Sequence, residues 1–370
     1  MESYLNVNLD NIDKNIENIK LLNPDKLFCA VIKANAYGLG LIPIAKSVEN
    51  KIDYFAVARL DEAICLRESG IKKAIMLLGY IPYNQVSECI KYNIDFPIYD
   101  LLYAKKINDS IKAKVNIHIA LDTGHGRLGF RENEIDEILK LKNLQNLNIV
   151  GIFSHFATAD EDDPSFAYFQ NETFHKILSK INGEFDFKYI HIENSAAAIK
   201  FESQTNMIRV GLALYGIYPS LELKNQIKLY QSFEFKTHIS FVKTVKKGTS
   251  ISYGRTYVTD KKMKIATIPI GYADGFMRAF SNTGEVLIKG KLCKVLGRVC
   301  MDQMMVDVTG LDVSIDDQVI LYPNIYEEAN KINTIAYELM ADIGLRIPRV
   351  YIKDGKIIDV INYLGEIYEN

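Results

Sequence analysis

Lys33 is the residue with the clearest chemical potential in this chain. It closes an apolar, Val/Ile-bearing run within residues 27–40, LFCAVIKANAYGLG, and small, turn-forming residues follow it. Aliphatic neighbours strip water from an ammonium, and desolvation lowers an amine's pKa until it serves as a nucleophile or base. Ala34, Asn35, Ala36, Gly38 and Gly40 leave room for a ligand to approach the backbone closely. On residue type alone, a lysine snorkelling into solvent from a strand end is the commoner case. The surrounding motifs therefore carry the weight.

Asp122-Thr123-Gly124 followed by Arg127 is a loop able to present a guanidinium to a carboxylate or a phenolate oxygen, with a local Asp–Arg pair as an equal alternative. The overlapping Gly124-His125-Gly126-Arg127-Leu128-Gly129 fits a dinucleotide-binding template. However, the next strand ends in Phe153-Ser154-His155 rather than the acidic residue that would hold a ribose, and the match follows the fifth strand candidate rather than the first. We read it as coincidental. His155 stands at a strand end, where a satisfied core imidazole is the plainer role. Asn194-Ser195-Ala196-Ala197 joins a hydroxyl to a helix N-terminus, which suits a phosphate cradle or an ordinary N-cap. Arg209-Val210-Gly211-Leu212 gives a cation, then a glycine that exposes backbone amides. Ser252-Tyr253-Gly254-Arg255 sets a tyrosine in a polar turn. Cys300-Met301-Asp302 has no histidine nearby and so suits neither a metal nor a thiol nucleophile.

The elements that must position these groups are short apolar strands alternating with helical patterns. Leu9, Ile12, Ile16 and Ile19 recur at helical spacing after Asp10, a candidate N-cap. Strands are expected at 27–32, 54–58, 74–78, 95–99, 115–121, 147–153, 188–192 and 207–210, eight in all. Eight such strands separated by helix-length segments, with polar residues just past their C-terminal ends, predict a (β/α)8 TIM-type barrel. After Pro219 the pattern turns mostly β, with strands expected at 235–245, 264–270, 286–288, 292–296, 304–308 and 319–322 and a helix over 333–345. The reading is α/β: a barrel over residues 1–230 and a β-rich domain over 231–370, with residues 1–8 able to join the second.

At 370 residues, 48% hydrophobic and 24% charged, the composition is that of an ordinary globular protein. A net charge of −2 with dispersed Lys and Arg gives no nucleic-acid footprint. Five scattered cysteines without a C-x-x-C pair point to reduced thiols. With no apolar leader and no run long enough to span a bilayer, a cytoplasmic, membrane-free protein is expected.

Taken in order, Lys33-Ala34-Asn35-Ala36-Tyr37-Gly38, the Asp122 to Arg127 loop, Ser154-His155, Asn194-Ser195, Arg209 to Leu212, Ser252-Tyr253-Gly254, Gly271-Tyr272-Ala273-Asp274-Gly275 and Gly297 to Gln303 resemble the motifs of alanine racemases. These are fold-type III enzymes that use pyridoxal 5'-phosphate, and the resemblance runs from about residue 5 to 353. It implies an isomerase that interconverts L- and D-alanine by two-base α-proton transfer through a pyridoxal-phosphate aldimine. Lys33 would bind the cofactor and handle the D-enantiomer's proton, and Tyr253 the L-enantiomer's. Tyr253 would enter from the other subunit of a head-to-tail homodimer. Tyr37, Tyr337, Ser195, Gly211 and Leu212 would hold the phosphate with Asn194 beside them; His155 would lie beside the pyridine ring and Arg209 at its nitrogen. Arg127 and the Met301 amide would meet the substrate carboxylate, and Tyr272 would line the entrance.

The chain departs from the family pattern at three positions: Ala120 stands where many members carry a carbamylated lysine that orients the arginine, His125 replaces a common Met, and Leu39 replaces a His. A role in supplying D-alanine for peptidoglycan is implied by the family alone. The alternatives are a racemase of another small amino acid such as serine, a basic-amino-acid decarboxylase, and a single-barrel cofactor-handling protein. The second domain argues against the last.

Overall fold

Strand β1 (Tyr4–Asn8) runs directly into a helix, Leu9–Leu22, whose Leu9, Ile12, Ile16 and Ile19 are all buried. Asp10 lies inside the first turn of that helix rather than capping it. The computed structural model describes residues 2–368. The chain divides into two compact units. One comprises Asn11–Ala36 and Leu41–Gln231; the other takes the N-terminal residues up to Asp10, Tyr37–Gly40 and the chain from Ser232 onward.

The first unit is a barrel of parallel strands: β2 (Leu27–Val31), β3 (Tyr54–Val57), β4 (Ala74–Leu77), β5 (Phe96–Ile98), β6 (Val115–Ala120), β7 (Leu147–Phe153), β8 (Tyr189–His191) and β9 (Met207–Val210). They bond in two runs, β4-β3-β2-β9 and β5-β6-β7-β8. One seam is closed by a bridge between Met76 and Asp95, the other by the Asn206 amide on the Ile190 carbonyl (3.0 Å) and the Arg209 amide on that of Glu193 (3.1 Å). Both strand faces are covered, which explains why the sequence shows mainly apolar runs instead of strict alternation. Polar residues follow several of these runs directly, Lys33 after Ile32 and Asp122 after Leu121 among them. That register collects Lys33, the Asp122 loop, His155, Ser195 and Arg209 at the C-terminal rim.

The second unit is built on a seven-stranded sheet ordered β16-β15-β18-β10-β1-β19-β20. Its strands beyond β1 are β10 (Phe233–His238), β15 (Glu285–Ile288), β16 (Lys291–Lys294), β18 (Gln318–Leu321), β19 (Arg349–Lys353) and β20 (Lys356–Ile361). A three-stranded sheet joins β11 (Phe241–Val245), β14 (Met263–Ile268) and β17 (Met304–Asp307), and a ribbon pairs β12 (Ser250–Ile251) with β13 (Tyr257–Val258). The single strand expected over 235–245 is in fact two. Ile239 still bonds the first sheet through Asp317 (2.9 Å), while Ser240 bonds the second through Thr267 (3.0 Å). The chain changes sheets at a corner that carries neither Gly nor Pro to announce it. The helix expected over 333–345 is confined to Ala336–Ala341, because Asn333 takes a left-handed φ of 56°, and another helix, Ile325–Lys331, precedes it. No helix among the described residues is long and apolar enough to cross a membrane.

Candidate active site

Lys33 follows β2 at the barrel rim and is half-buried. Burial holds its ammonium below the usual lysine pKa, the Arg127 guanidinium adds to the effect, and Glu62 partly offsets it. The chain then makes a left-handed turn, with Ala34, Asn35, Ala36 and Tyr37 at φ of 53–55°. Each L-residue so placed costs roughly 1–2 kcal/mol, and strain of this kind persists only where surroundings over-determine it. Here Asn35 Oδ1 accepts from the Leu41 amide (2.8 Å), and the Ala36 amide donates to Ile32 O (2.9 Å). Glu62 accepts from the amides of Asn35 (3.3 Å), Ala58 (3.0 Å) and Arg59 (3.2 Å).

Arg127 is exposed, and among the described residues it makes neither an ion pair nor a hydrogen bond. The local Asp does not hold it: Asp122 Oδ1 accepts from the amides of Gly124 (3.1 Å) and Gly126 (2.9 Å), shaping the loop instead. Ala120 is buried at the end of β6 and offers no polar group. The His125 ring lies 5.6 Å from that of His155, with its own Nδ1 buried and unpartnered.

Arg209 is buried. Its Nη1 donates to His191 Nδ1 (2.7 Å), and its Nη2 to Ser154 O (2.8 Å), His155 Nδ1 (3.0 Å) and Ile192 O (3.2 Å). Burial pushes its guanidinium down to about 10. His155 is held well below the ordinary histidine pKa by burial first and then by Arg209, Arg127, His125 and Lys33. Its Nδ1 accepts from Arg209, so its ring proton sits on Nε2.

Ser195 opens the helix Ser195–Lys200, and its Oγ accepts from the amides of Gly211 (2.9 Å) and Ala213 (3.4 Å). With both lone pairs used, its O–H is left to donate. Leu212 begins a 3-10 turn, where an amide has no partner within the turn. Asn194 caps the helix through Oδ1 on the Ala197 amide (3.0 Å), so its carbonyl oxygen has a structural task. Lys33, Arg127 and Arg209 all lie close enough to His155 to act on its charge, on the same rim as the Ser195 hydroxyl and the Leu212 amide. That donor set calls for an anionic ligand.

In the second unit, Tyr37 and Tyr337 bring their rings to 6.4 Å. The Tyr37 segment is held from β19. Arg349 Nε donates to Gly38 O (3.0 Å), Arg349 Nη2 to Ile343 O (2.7 Å) and Tyr351 Oη to Leu39 O (2.8 Å). Leu39 itself is fully buried.

Tyr253, Tyr272 and Met301 occupy adjoining turns. Ser252 Oγ donates to Arg298 O (2.5 Å), the Tyr272 amide to Cys300 O (3.0 Å) and the Ala273 amide to Met301 O (3.0 Å). Gly271 permits this approach, since a Cβ there would lie 2.3 Å from the Cys300 and Met301 oxygens. Arg346 ties the turns together through Asp274 (2.6 Å) and Asp302 (2.6 Å). Yet Tyr253, Met301 and Tyr272 are 70%, 52% and 41% exposed.

Residues 7–219 match the model of the alanine racemase N-terminal domain and residues 232–351 that of the C-terminal domain. This chain belongs to the alanine racemase family. It is 41% identical to an alanine racemase of Clostridium perfringens, with 98% of each chain covered, and 40% identical to alanine racemase 2 of Caldanaerobacter subterraneus, with 97% of each covered. Among solved structures it is similar to the alanine racemase of Clostridium difficile 630 (TM-score 0.93, 39% identity, 98% of this chain and 99% of that one). A Bacillus anthracis alanine racemase with bound L-Ala-P is similar too (TM-score 0.93, 35% identity, 99% of this chain and 98% of that one).

Within this family member, several groups that support these residues carry no motif in the sequence. Glu62 sits inside a helix, Leu60–Glu68, and gives no motif. Asp274 and Arg346 lie 72 positions apart. The partners of Arg209 beneath the rim, His191 and beyond it His118, Tyr54 and Asp95, are single polar residues within or beside apolar strands. Their one available signal is that a polar group buried in a parallel strand demands a partner.

Proposed function

We propose that this chain interconverts L- and D-alanine with pyridoxal 5'-phosphate as its cofactor. The observation that carries the reading is Lys33, half-buried with a depressed ammonium pKa, beside an Arg127 guanidinium that has no hydrogen-bond or ion-pair partner among the described residues. When bound, the cofactor supplies an electron sink that acidifies the α-hydrogen of an attached amino acid. Lys33 would anchor it and then, once displaced by substrate, take or return the α-proton on one face. The Ser195 hydroxyl, the Gly211 and Leu212 amides, and the phenols of Tyr37 and Tyr337 would hold its phosphate, with Asn194 keeping the Ser195 helix in place. Arg209 would donate to the ring nitrogen. A guanidinium gives up no proton at neutral pH, so it leaves that nitrogen unprotonated and the sink weak. A weak sink favours return of the proton over decarboxylation or transamination.

Tyr253 would serve the other face. Its intrinsic pKa of ~10 is too high for a base at neutral pH. The Nε2–H of His155, backed by Arg209, is a donor that would stabilise its phenolate. We further propose that a second copy of the chain contributes Tyr253 in a homodimer, with Tyr272 lining the substrate entrance and the Met301 amide meeting the substrate carboxylate. The 70% exposure of Tyr253 in the single chain supports this. Arg127 would bind the substrate carboxylate. A cytoplasmic enzyme supplying D-alanine to peptidoglycan is the corresponding cellular role.

The test is proton NMR of the purified protein, loaded with pyridoxal phosphate, on L-alanine in D2O, followed by chiral analysis. Deuterium at the α-carbon together with D-alanine is the expected outcome. Faster inversion of L-serine in a parallel sample would move the substrate to serine, and carbon dioxide release would move the reaction to decarboxylation.

A further inference from the structure

Beneath the rim, Arg209 heads a chain of buried polar groups that the reaction as described does not use. Arg209 Nη1 meets His191 Nδ1 at 2.7 Å, and His191 Nε2 meets His118 Nδ1 at 3.0 Å. His118 Nε2 meets the Tyr54 hydroxyl at 3.3 Å, and that hydroxyl donates to Asp95 Oδ2. His118 Nε2 lies 3.7 Å from Asp95 Oδ2, too far for a direct bond, so Tyr54 is the link. His118 and His191 are 0% exposed, Tyr54 1% and Asp95 5%. The His118 ring stacks on Tyr189 (5.6 Å, 13° between planes) and the His191 ring on Phe153 (5.2 Å, 5°), which fixes both ring planes. Gly151 makes the space: a Cβ there would lie 2.3 Å from His118 Nδ1.

The two ends of the chain decide everything between them. A guanidinium only donates, and an ionised carboxylate only accepts. Since Arg209 donates to His191 Nδ1, the His191 proton must sit on Nε2. That proton then requires a bare His118 Nδ1, so the His118 proton is also on Nε2, pointing at the Tyr54 oxygen. The Tyr54 hydroxyl is thereby aimed at Asp95. No alternative tautomer satisfies both ends. Asn116 Nδ2 donates to Asp95 Oδ1 (3.2 Å), which keeps that oxygen as an acceptor.

We propose that Asp95, acting through Tyr54, His118 and His191, is a positioning residue: it locks a one-way donor chain that presents an unprotonated His191 Nδ1 to Arg209. Arg209 then keeps a single orientation, with its Nε–H and second Nη1 hydrogen uncommitted to these partners. The inference deepens the proposed function, resting on it only for the assignment of Arg209 to the cofactor ring nitrogen. Asp95→Asn is the decisive change. An amide presents an N–H to Tyr54, allowing the chain to run backwards until His191 carries its proton on Nδ1 and faces Arg209 donor to donor.

The experiment is nitrogen-15 NMR of the full chain, labelled at its six histidines and assigned by single replacement, with and without pyridoxal phosphate. Expected for the unaltered protein are His118 and His191 that each carry the ring proton on Nε2 and not on Nδ1. Expected for Asp95→Asn is an Nδ1-protonated population at His191, with kcat about tenfold lower in both directions and KM little changed. Tyr54→Phe, which removes the link but keeps the ring, should also release the tautomer and covers the case in which Asp95→Asn does not fold. An Nδ1-protonated His191 in the unaltered protein overturns the proposal. So do variants that lose activity while both tautomers stay fixed. If no racemisation is found at all, the tautomer readout still decides the direction of the chain by itself.

Discussion

The barrel rim and the exposed turns of the second unit are finished to different degrees. At the rim, Arg209 is committed to four acceptors, His155 has one defined tautomer, and Ser195 has both lone pairs occupied. The turns bearing Tyr253, Tyr272 and Met301 are well braced from behind by Arg346 and Ser252, yet the residues themselves face outward. A barrel can fix its own chemistry because strand ends converge on one place and burial selects protonation states. A turn on a β unit can fix only a backbone, and its side chains acquire surroundings when something covers them. The first region is therefore read as carrying the anchoring amine and the group for one proton, the second as half of a site.

The largest effect should come from the rim. Lys33→Ala is expected to lower racemisation by at least about 10⁴-fold and to abolish the covalent, borohydride-reducible attachment of pyridoxal phosphate. Retained attachment would place the anchoring amine elsewhere. Arg127→Met should weaken substrate binding by about 10–100-fold, the range for a lost charge-assisted hydrogen bond, with cofactor binding far less changed. A titration monitored at the cofactor's absorption band separates the two.

Smaller effects probe the rim's support. Gly151→Ala should destabilise the fold by about 1–3 kcal/mol through overpacking against His118, read from urea unfolding; an unchanged midpoint would mean the ring has room to move. The pH dependence follows from His191, which burial, Arg209 and His118 hold well below the ordinary histidine value of about 6.5. Below 6.5 the unfolded chain takes up a proton that the folded site refuses, so stability is full above that value and falls as pH drops. The slope is at most about 1.4 kcal/mol per pH unit for this group. His191→Gln should flatten the acid limb of the stability curve.

The barrel was legible because eight short, mainly apolar runs separated by helix-length segments, with polar residues past many of their ends, leave few other architectures. The second unit was legible as mostly β, but not its corner at Ile239-Ser240, where ordinary residues switch sheets. At the rim, residues such as Lys33, Arg127 and Arg209 stood out because each sits in a local motif. The left-handed turn after Lys33 was less visible. Glycine and asparagine suggested a turn, while Ala34, Ala36 and Tyr37 are residues that disfavour positive φ and adopt it only under the hold of Asn35 and its neighbours. The chain from Arg209 to Asp95 left no pattern at all, since His118 and His191 are 73 positions apart and meet only when the strands close.

The comparison between the two regions turns on Tyr253. Its central test is enantiomer-resolved α-proton exchange in D2O for Tyr253→Phe. D-alanine should still exchange its α-hydrogen, with retention, through Lys33. Exchange from L-alanine and inversion in either direction should fall by about 10²–10⁴-fold. Equal, undiminished exchange from both enantiomers, with inversion intact, would contradict it and make the barrel the whole of the site.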